Sequence, residues 1–333
     1  MPETQQEPSV EYVWVDVDRW MNIRPFTRQE SVVASGQRSS EMSICLSCGS
    51  SSGQNGLCQT CRTPRVSCVD CGSRNDLYEF RGAFRCYDCI NPIMNYSTDV
   101  LSIKRWRPSS NSSLYYGIEL ELSNRTGNFR KNAVESLKLV DDFAILKSDS
   151  SVRNGFEIVT IPTKYSKIAK LWQPFFDNIP KGLVGYVGQA GMHVHVTRNG
   201  ITEHGIRNLS VFLNAKDNLG LIELVSNRKL NRFCKQNPYM TYGSKPAYKA
   251  EDRYTILNTS RVNTIEFRSF KSTISFDRFL RNLEFVDASI EFCSMSDTAN
   301  LTSAAFCNFV SNCKKRYARL SKSIDRWYKY HKT

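Results

Sequence analysis

Three segments of the chain place acidic, histidine or arginine side chains at every second residue, which is the spacing of side chains on one face of a β-strand, and a fourth strand-like segment carries a single glutamate. Adjacent carboxylates repel each other, and a hard divalent cation commonly keeps them ionised. Alternating charges are also common on solvated strands, so each motif alone is a weak signal. Four such strands in one region indicate a shared metal site. The segments are Gly117-Ile118-Glu119-Leu120-Glu121, Gly155-Phe156-Glu157, Gly191-Met192-His193-Val194-His195 and Glu266-Phe267-Arg268.

A polar turn before the second of these strands adds a lysine and an aspartate, Lys147 and Asp149, to the candidate site. Each of these side chains also has a simpler interpretation. An aspartate in a turn often bonds only its own backbone, and an exposed ion pair such as Glu266 with Arg268 contributes about 0–1 kcal/mol. Histidines between valines can be ordinary core or surface residues. The four strands together favour the metal site.

Eight of the twelve cysteines fall into four Cys-x2-Cys pairs, which is the spacing of zinc ligands. The loops between the pairs are too short for an apolar core, so we predict two structural Zn²⁺ ions that stabilise this module. Ligand pairing between the two sets stays open, and a redox role is the alternative that four tandem copies disfavour. The predicted ligands are Cys45, Cys48, Cys58, Cys61, Cys68, Cys71, Cys86 and Cys89.

The formal net charge of the chain is +13, and much of it lies near the carboxyl terminus. Residues 301–333 hold eight lysines and arginines against one aspartate, whereas residues 41–92 hold five arginines against five acids. Basicity can indicate a nucleic acid or another polyanion, and it can also keep a protein soluble. The chain has no apolar run of about 18 residues and no signal-like start, so we expect a cytoplasmic protein without a membrane partner.

The elements that must position the candidate residues are strands with helices between them, which predicts an α+β domain whose acids and histidines lie on the open sheet face. A further strand is predicted over 249–259. Residues 306–327 show apolar side chains at alternating four- and three-residue spacing opposite a basic face. We predict a helix that packs on the domain, with a partner helix as the alternative. The predicted helices are 132–142, 165–177, 202–214, 219–233, 276–295 and 306–327.

Changes in composition divide the chain into four parts. Residues 1–40 form an extension and linker, and residues 41–92 form the tandem four-cysteine zinc module. The dipeptide Asn91-Pro92 and the polar segment 107–113 mark a second linker over 93–113. Residues 114–333 form the main domain and include the basic terminal helix.

The four strands and the turn resemble, in the same order, those of the amidoligase family. These proteins are carboxylate–amine ligases related to glutamine synthetase and to glutamate–cysteine ligase. The resemblance covers residues 115–273, about half of the chain, and leaves out the zinc module and the basic tail. It implies a curved, mostly antiparallel sheet with helices on one face, whose concave face binds ATP and divalent cations.

By this resemblance, Glu121 and Glu157 would hold one Mg²⁺ ion. Glu119, His193 and Glu266 would hold a second ion that bridges to the ATP phosphates. Mn²⁺ is the alternative metal, because it tolerates an imidazole ligand better than Mg²⁺ does.

The resemblance also implies roles for residues that flank the ions. Lys147 and His195 would lie near the nucleotide, and Arg268 would face the phosphoryl group during its transfer. Asp149 and Glu157 join Arg268 as candidate catalytic residues, with Asp149 as a guess for the base that deprotonates the amine. No motif identifies that base.

The implied reaction joins a carboxylate substrate to an amine substrate with ATP, through an acyl-phosphate intermediate, and forms ADP and phosphate. Either substrate can be a peptide or protein, which the zinc module would recruit. One alternative is a nucleic-acid-binding protein that uses zinc ribbons and the basic tail. The other is a degenerate ligase fold that acts as a scaffold.

Overall fold

The computed structural model describes residues 43–44, 51–52, 66–104, 114–185, 190–237 and 254–331. The chain divides into one unit formed by Val15–Asn91 and another formed by Met1–Trp14 with Pro92–Thr333. The predicted extension over 1–40 lies outside the described residues. So do Cys45, Cys48, Cys58 and Cys61, the four predicted zinc ligands of the first set.

In its described residues, the smaller unit contains two short antiparallel ribbons and one helical turn. Strands β1 (Ser43–Ile44) and β2 (Ser51–Ser52) form the first ribbon, and β3 (Leu77–Phe80) and β4 (Ala83–Cys86) form the second. Arg81 and Gly82 connect β3 to β4 with φ angles of 49° and 73°. Positive φ at both positions is typical of a tight hairpin turn. Helix α1 (Tyr87–Ile90) follows β4 directly.

The larger unit is mixed α/β and is built on one eight-stranded mixed sheet with the order β11-β12-β10-β6-β8-β7-β5, in which β9 also pairs with β6. Among its described pairings only β5 with β7 is parallel. The strands are β5 (Ile93–Met94), β6 (Tyr116–Asn124), β7 (Ala144–Lys147), β8 (Gly155–Thr160), β9 (Leu183–Val184), β10 (Gly191–Thr197), β11 (Leu257–Asn258) and β12 (Thr264–Lys271). The helices are α2 (Val100–Ile103), α3 (Phe129–Val140), α4 (Tyr165–Asp177), α5 (Glu203–Asn214), α6 (Leu219–Ser226), α7 (Phe276–Met295), α8 (Ser303–Asn312) and α9 (Ala318–His331).

The core lies between one face of the sheet and the long helix α7. Met192 of β10 contacts Asn282, and the ring of Phe270 in β12 packs edge-on against Phe285 at 6.1 Å. Helices α4 and α5 then pack on α7 through further aromatic contacts, such as Trp172 with Phe279 and Phe212 with Phe292. Because side chains alternate along a strand, the charged residues of the same strands face the other way.

Three predicted elements differ from the structure. The helix predicted over 219–233 ends at Ser226, because Asn227 adopts a left-handed conformation with a φ of 55° and terminates it. The single helix predicted over 306–327 is two helices, α8 and α9, separated by a turn at residues 313–317. Of the strand predicted over 249–259, only Leu257–Asn258 is a strand within the described residues.

The break between α8 and α9 places two side chains against acids of α7. The Tyr317 hydroxyl lies within hydrogen-bond distance of carboxylate oxygens of Asp287 and Glu291, at 3.1 and 2.6 Å, and Arg316 forms ion pairs with the same two carboxylates. In α9, the backbone N–H of Leu320 donates to Glu284 at 2.8 Å. These contacts dock α9 on the domain, and they explain why tertiary structure overrides the continuous helical pattern of the sequence.

The segment predicted as a linker over 93–113 carries regular structure in its described part. Ile93 and Met94 form the edge strand β5 beside Leu146 and Lys147 of β7. Lys104 then forms an ion pair with Asp141 at 2.8 Å. Residues 92–104 therefore belong to the larger unit, and a predicted boundary near residue 114 is too late.

Candidate functional site

The sheet order brings the predicted site residues together on one face. His193 lies opposite Glu119 on neighbouring strands, and His195 lies opposite Glu266. On the other side of β6, Glu121 lies opposite Glu157 of β8. All nine predicted site residues of the larger unit line one cleft of about 1100 Å³, namely Glu119, Glu121, Lys147, Asp149, Glu157, His193, His195, Glu266 and Arg268.

The first cluster in the cleft consists of Glu119, His193 and Glu266, each of which offers a ligand atom within 4.8 Å of the others. The Nδ1 atom of His193 lies 3.1 Å from Oε2 of Glu119 and 3.7 Å from Oε1 of Glu266. The carboxylate of Glu266 is held on both sides, because Asn258 donates to Oε2 at 2.8 Å and Arg268 contacts Oε1. Glu266 is therefore fixed in orientation.

Charge compensation determines the ionisation of this cluster. Burial alone would raise the pKa of Glu119, but the neighbouring His195 and His193 outweigh it and hold the pKa well below its ordinary value. Burial would likewise raise the pKa of Glu266, and the same two histidines together with Arg268 lower it. Conversely, burial would lower the pKa of His195, whereas Glu119 and Glu266 raise it. The cluster thus combines ionised carboxylates with nearby positive charge.

The second cluster consists of Glu121, Asp149 and Glu157, whose ligand atoms also lie within 4.8 Å of one another. The backbone N–H of Gly191 donates to Glu121 at 2.6 Å, and Lys147 lies 3.6 Å from Glu157. One oxygen of Asp149 accepts from the backbone N–H of Ser151 at 2.6 Å, which is the local turn contact expected for an aspartate in this position.

The second cluster has less positive charge around it than the first. Burial raises the pKa of Glu157 to about 8, with Glu119 as the next largest cause, and Lys147 only partly offsets the increase. Burial also raises the pKa of Glu121, against the opposing effects of His193 and the Gly191 N–H group. Two nearly buried carboxyl groups therefore lack sufficient counter-charge among the described residues.

The donor sets of both clusters fit hard divalent cations. Ligands of an octahedral Mg²⁺ at about 2.1 Å lie about 3 Å apart, and the His193–Glu119 distance already has this value. The second cluster consists of oxygen donors only, which are the ligands Mg²⁺ prefers, whereas the imidazole of the first cluster also suits Mn²⁺. The raised pKa values of Glu121 and Glu157 indicate where a bound cation would compensate charge.

A β-bulge in β12 positions Arg268. The register passes from Met192 opposite Phe270 to Val194 opposite Phe267, so β12 contains one extra residue here. The bulge allows both phenylalanines to face the core although they are three residues apart. Arg268, next to Phe267, then lies on the cleft face.

Arg228 supports this bulge from the loop that follows α6. Its Nε atom donates to the carbonyl of Ser269 at 2.9 Å, and its Nη2 atom donates to the carbonyl of Arg268 at 3.0 Å. The guanidinium group thus satisfies two carbonyls at a point where the regular strand ladder is interrupted. The Nε atom of Arg268 itself is buried and has no hydrogen-bond partner among the described residues.

The cleft residues that escaped the sequence analysis include Tyr96, Arg228 and Asn258. Arg228 and Asn258 lie outside the four motifs: Arg228 is in the loop after α6, and Asn258 is on the short strand β11, which pairs with β12. Tyr96 lies in the segment predicted as a linker. No spacing pattern marks any of the three, so the sequence alone offered no signal for them.

The smaller unit contains a four-cysteine cluster, in which Cys68, Cys71, Cys86 and Cys89 have sulfur atoms within 4.8 Å of one another. The sulfurs of Cys71 and Cys86 are 3.6 Å apart. Tetrahedral Zn²⁺ with bonds of about 2.3 Å requires sulfur separations of about 3.8 Å, so the cluster can bind a zinc ion. These four cysteines form one set, an arrangement that the sequence had left open.

The thiol of Cys68 is suited to metal binding. Burial works against the thiolate, but the backbone of Cys86, Asp70 and Cys71 provides hydrogen bonds that outweigh it and lower the pKa of Cys68 to about 6. Neighbouring sulfurs raise the pKa of Cys89, because four thiolates this close repel one another without a cation. Gly72 follows the Cys68–Cys71 turn with a φ of 74°, a conformation that favours glycine.

The chain matches neither a family model nor a curated protein. None of the helices in the described part of the chain is both long enough and apolar enough to span a membrane.

Proposed function

We propose that the larger unit is an ATP-dependent carboxylate–amine ligase that uses Mg²⁺ or Mn²⁺. One observation carries the proposal: two acid clusters lie side by side on one sheet face, in a single cleft that Arg268 and Lys147 also line. Paired cations flanked by basic side chains are the arrangement that phosphoryl transfer requires, because catalysis there depends on positioning and on charge neutralisation. The order of the motifs, which resembles that of the amidoligase family, favours this reaction over other phosphoryl transfers.

The two acid clusters would each bind one cation. Glu119, His193 and Glu266 would hold one cation, and Glu121 with Glu157 would hold the other. Bound cations would supply charge neutralisation for the phosphate oxygens of ATP. Each carboxylate is already oriented by a protein contact, as Glu266 is by Asn258, so little reorganisation accompanies binding.

The reaction then proceeds in two steps. A carboxylate oxygen of the acid substrate attacks the terminal phosphorus of ATP, and ADP leaves. The amine attacks the acyl carbon, loses a proton and displaces phosphate. Arg268 stabilises charge on the transferred phosphoryl group, since its planar guanidinium matches phosphate oxygens. Lys147 and His195 contact the nucleotide. Asp149 could either complete the second metal cluster or accept the proton of the amine.

The smaller unit would bind two structural Zn²⁺ ions and recruit a substrate or partner protein. Reduced cysteines that serve as metal ligands are typical of reducing compartments, so we infer a cytoplasmic location. A nucleic-acid-binding role for the basic tail is disfavoured, because Arg316 and Arg319 form ion pairs with acids of α7. The intact set of charged cleft residues likewise disfavours a role as a scaffold only.

The test is ATP turnover by the full chain with Mg²⁺ or Mn²⁺, in the presence of pooled amino acids, peptides and cell extract. Mass spectrometry should detect a product equal to the sum of an acid and an amine minus one water. ADP and phosphate should form in equal amounts. AMP and pyrophosphate would indicate adenylation and would contradict the proposed chemistry.

A further inference from the structure

The segment between β5 and Lys104 forms a wall of the cleft. It begins beside β7, where the N–H group of Ser148 donates to the carbonyl of Met94 at 2.9 Å. Val100 then packs in an apolar cluster with Ile145 and Val159 of the sheet. Lys104 ends the segment in its ion pair with Asp141. The segment is thus fixed at both ends and in the middle.

This segment lies on the face of the sheet that carries the acid clusters. Val159 is directly opposite Glu119, and residues directly opposite each other on paired strands share a face. Because Val100 packs on Val159, the segment covers the cleft face at the β7–β8 end of the sheet. Residues 96–101 accordingly line the cleft.

Tyr96 is the aromatic residue of this wall, and its side chain is 54% exposed. The ammonium group of Lys147 lies 5.3 Å from the centre of its ring and 3.6 Å from a carboxylate oxygen of Glu157. The ring centre and the second acid cluster are therefore separated by at most the sum of these distances, about 9 Å. Five hydroxyl side chains also line this end, namely Ser97, Thr98, Ser148, Ser150 and Ser151.

The opposite end of the cleft has a different character. Its aromatic residues, Phe233 and Tyr254, are half-buried and pack edge-on against each other at 5.8 Å. Three arginines line this end, Arg228, Arg261 and Arg268. Arginines recognise carboxylate and phosphate groups, whereas an exposed ring beside hydroxyl groups suits a planar base with an attached sugar.

We propose that Tyr96 stacks against the nucleobase of ATP, so that the nucleoside lies at the β7 end of the cleft and the anionic acid substrate at the arginine end. The inference rests on the proposed function and adds which end of the cleft each of the two substrates occupies. A nucleotide with its base on Tyr96 can reach the acid clusters with its phosphates, since the ribose and phosphate chain readily spans the separation of about 9 Å.

Calorimetric titration of the full chain with ATP and with inorganic tripolyphosphate, each as the Mg²⁺ complex, separates base contacts from phosphate contacts. Tyr96→Ala should weaken ATP binding about five- to 150-fold and leave tripolyphosphate binding unchanged, because a base–aromatic stack contributes about 1–3 kcal/mol. Tyr96→Phe should restore wild-type ATP affinity. The matched control is Tyr254→Ala at the other end of the cleft. This variant should not alter the difference between the affinity for ATP and the affinity for tripolyphosphate.

The outcomes distinguish a failure of the proposed nucleobase subsite at Tyr96 from a failure of the proposed function. Wild-type chain that binds neither ligand would contradict the proposed function and the subsite together. If the wild type binds ATP and Tyr96→Ala binds it equally well, the subsite is wrong and the proposed function stands. If Tyr254→Ala, and not Tyr96→Ala, lost the preference for ATP over tripolyphosphate, the base would lie at the arginine end. Tyr96 is exposed, so its substitution should not impair folding.

Discussion

Glu121 and Glu157 lie directly opposite each other on β6 and β8, and only 4% and 3% of these residues is exposed. Like charges placed opposite each other on paired strands destabilise a sheet, and burial increases the cost of ionising them. Among the described residues, Lys147 forms an ion pair with Glu157, and His193 approaches Glu121. No other described ion pair involves the two carboxylates. We therefore expect this couple to make the stability of the fold depend on pH and on divalent cations.

The stability of the larger unit should fall as pH rises when Mg²⁺ and Mn²⁺ are absent. Burial, and next Glu119, raise the pKa of Glu157 from 4.5 to about 8. A carboxyl with a raised pKa in the folded state stabilises the fold below its unfolded pKa, and this stabilisation is lost as pH rises through the folded pKa. Between pH 4.5 and about 8 the free energy of unfolding should therefore decrease.

Denaturant titrations across this pH range check the expectation. Added Mg²⁺ or Mn²⁺ should restore stability most strongly near pH 8, where the carboxylates are ionised. Glu157→Gln should flatten the pH dependence. Stability that rises with pH, or that does not respond to either cation, would contradict the assigned metal cluster.

Glu119→Gln should abolish most of the ATP turnover without unfolding the protein. The amide keeps the shape of the side chain but removes the charge that balances a cation, so we expect a loss of about 10²–10³-fold. Arg268→Lys should also be severe, because an ammonium group cannot reproduce the bidentate fork of a guanidinium. Initial rates of ADP release measure both effects. Glu203→Gln, at an exposed glutamate outside the cleft, is the matched control, and full activity in Glu119→Gln would exclude a role for its charge.

The purified chain should contain two zinc ions, and Cys68→Ser should remove one of them. The loss of one thiolate leaves an incomplete tetrahedral set, and a module with little apolar core depends on its metal for folding. Elemental analysis measures the zinc content, and proteolysis should show cleavage confined to the cysteine module. Cys313→Ser, at a half-buried cysteine outside both sets, should retain two ions. A wild-type content below two would contradict the two-site prediction.

Arg228→Ala should lower kcat by about ten- to hundred-fold through Arg268, because small displacements of a catalytic group carry costs of this size. The variant leaves the carbonyls of Arg268 and Ser269 without their donors. We expect the KM for ATP to change little, and Arg228→Lys, which keeps part of the donor set, to recover part of the rate. Arg207→Ala, at an exposed position on α5, is the control. Equal losses in kcat and in thermal stability, without recovery in the lysine variant, would indicate a structural role only.

Leu320→Ala should destabilise the larger unit by about 2–5 kcal/mol, because Leu320 is fully buried where α9 packs on the domain. Lys322→Ala, at an exposed position on the same helix, should have little effect on stability. Denaturant unfolding measures both variants. If instead Lys322→Ala reduced nucleic-acid binding and lowered its salt dependence while Leu320→Ala left stability unchanged, the tail would act as a polyanion-binding surface.

Local patterns in the sequence predicted individual helices and strands well. The arrangement of the strands in the sheet could not be predicted, because it depends on tertiary contacts. The helices predicted over 165–177 and 276–295 have those bounds in the structure, because apolar spacing and turn residues are local signals. Period-two spacing also assigned Glu119 and Glu121 to one face. The order of strands that brings Glu266 near Glu119 depends on the pairing of β10 with both β6 and β12, between residues about seventy positions apart, which spacing does not encode.

The short strand β5 also protects the sheet. It covers the outer edge of β7, and an uncovered edge strand offers unpaired N–H and C=O groups to other chains. A truncated chain that began at Leu114 would lack this cover and would expose β7 to intermolecular pairing and aggregation. Beginning at Pro92 would retain the cover. The segment next to the cysteine module therefore contributes to the solubility of the whole domain as well as to its cleft.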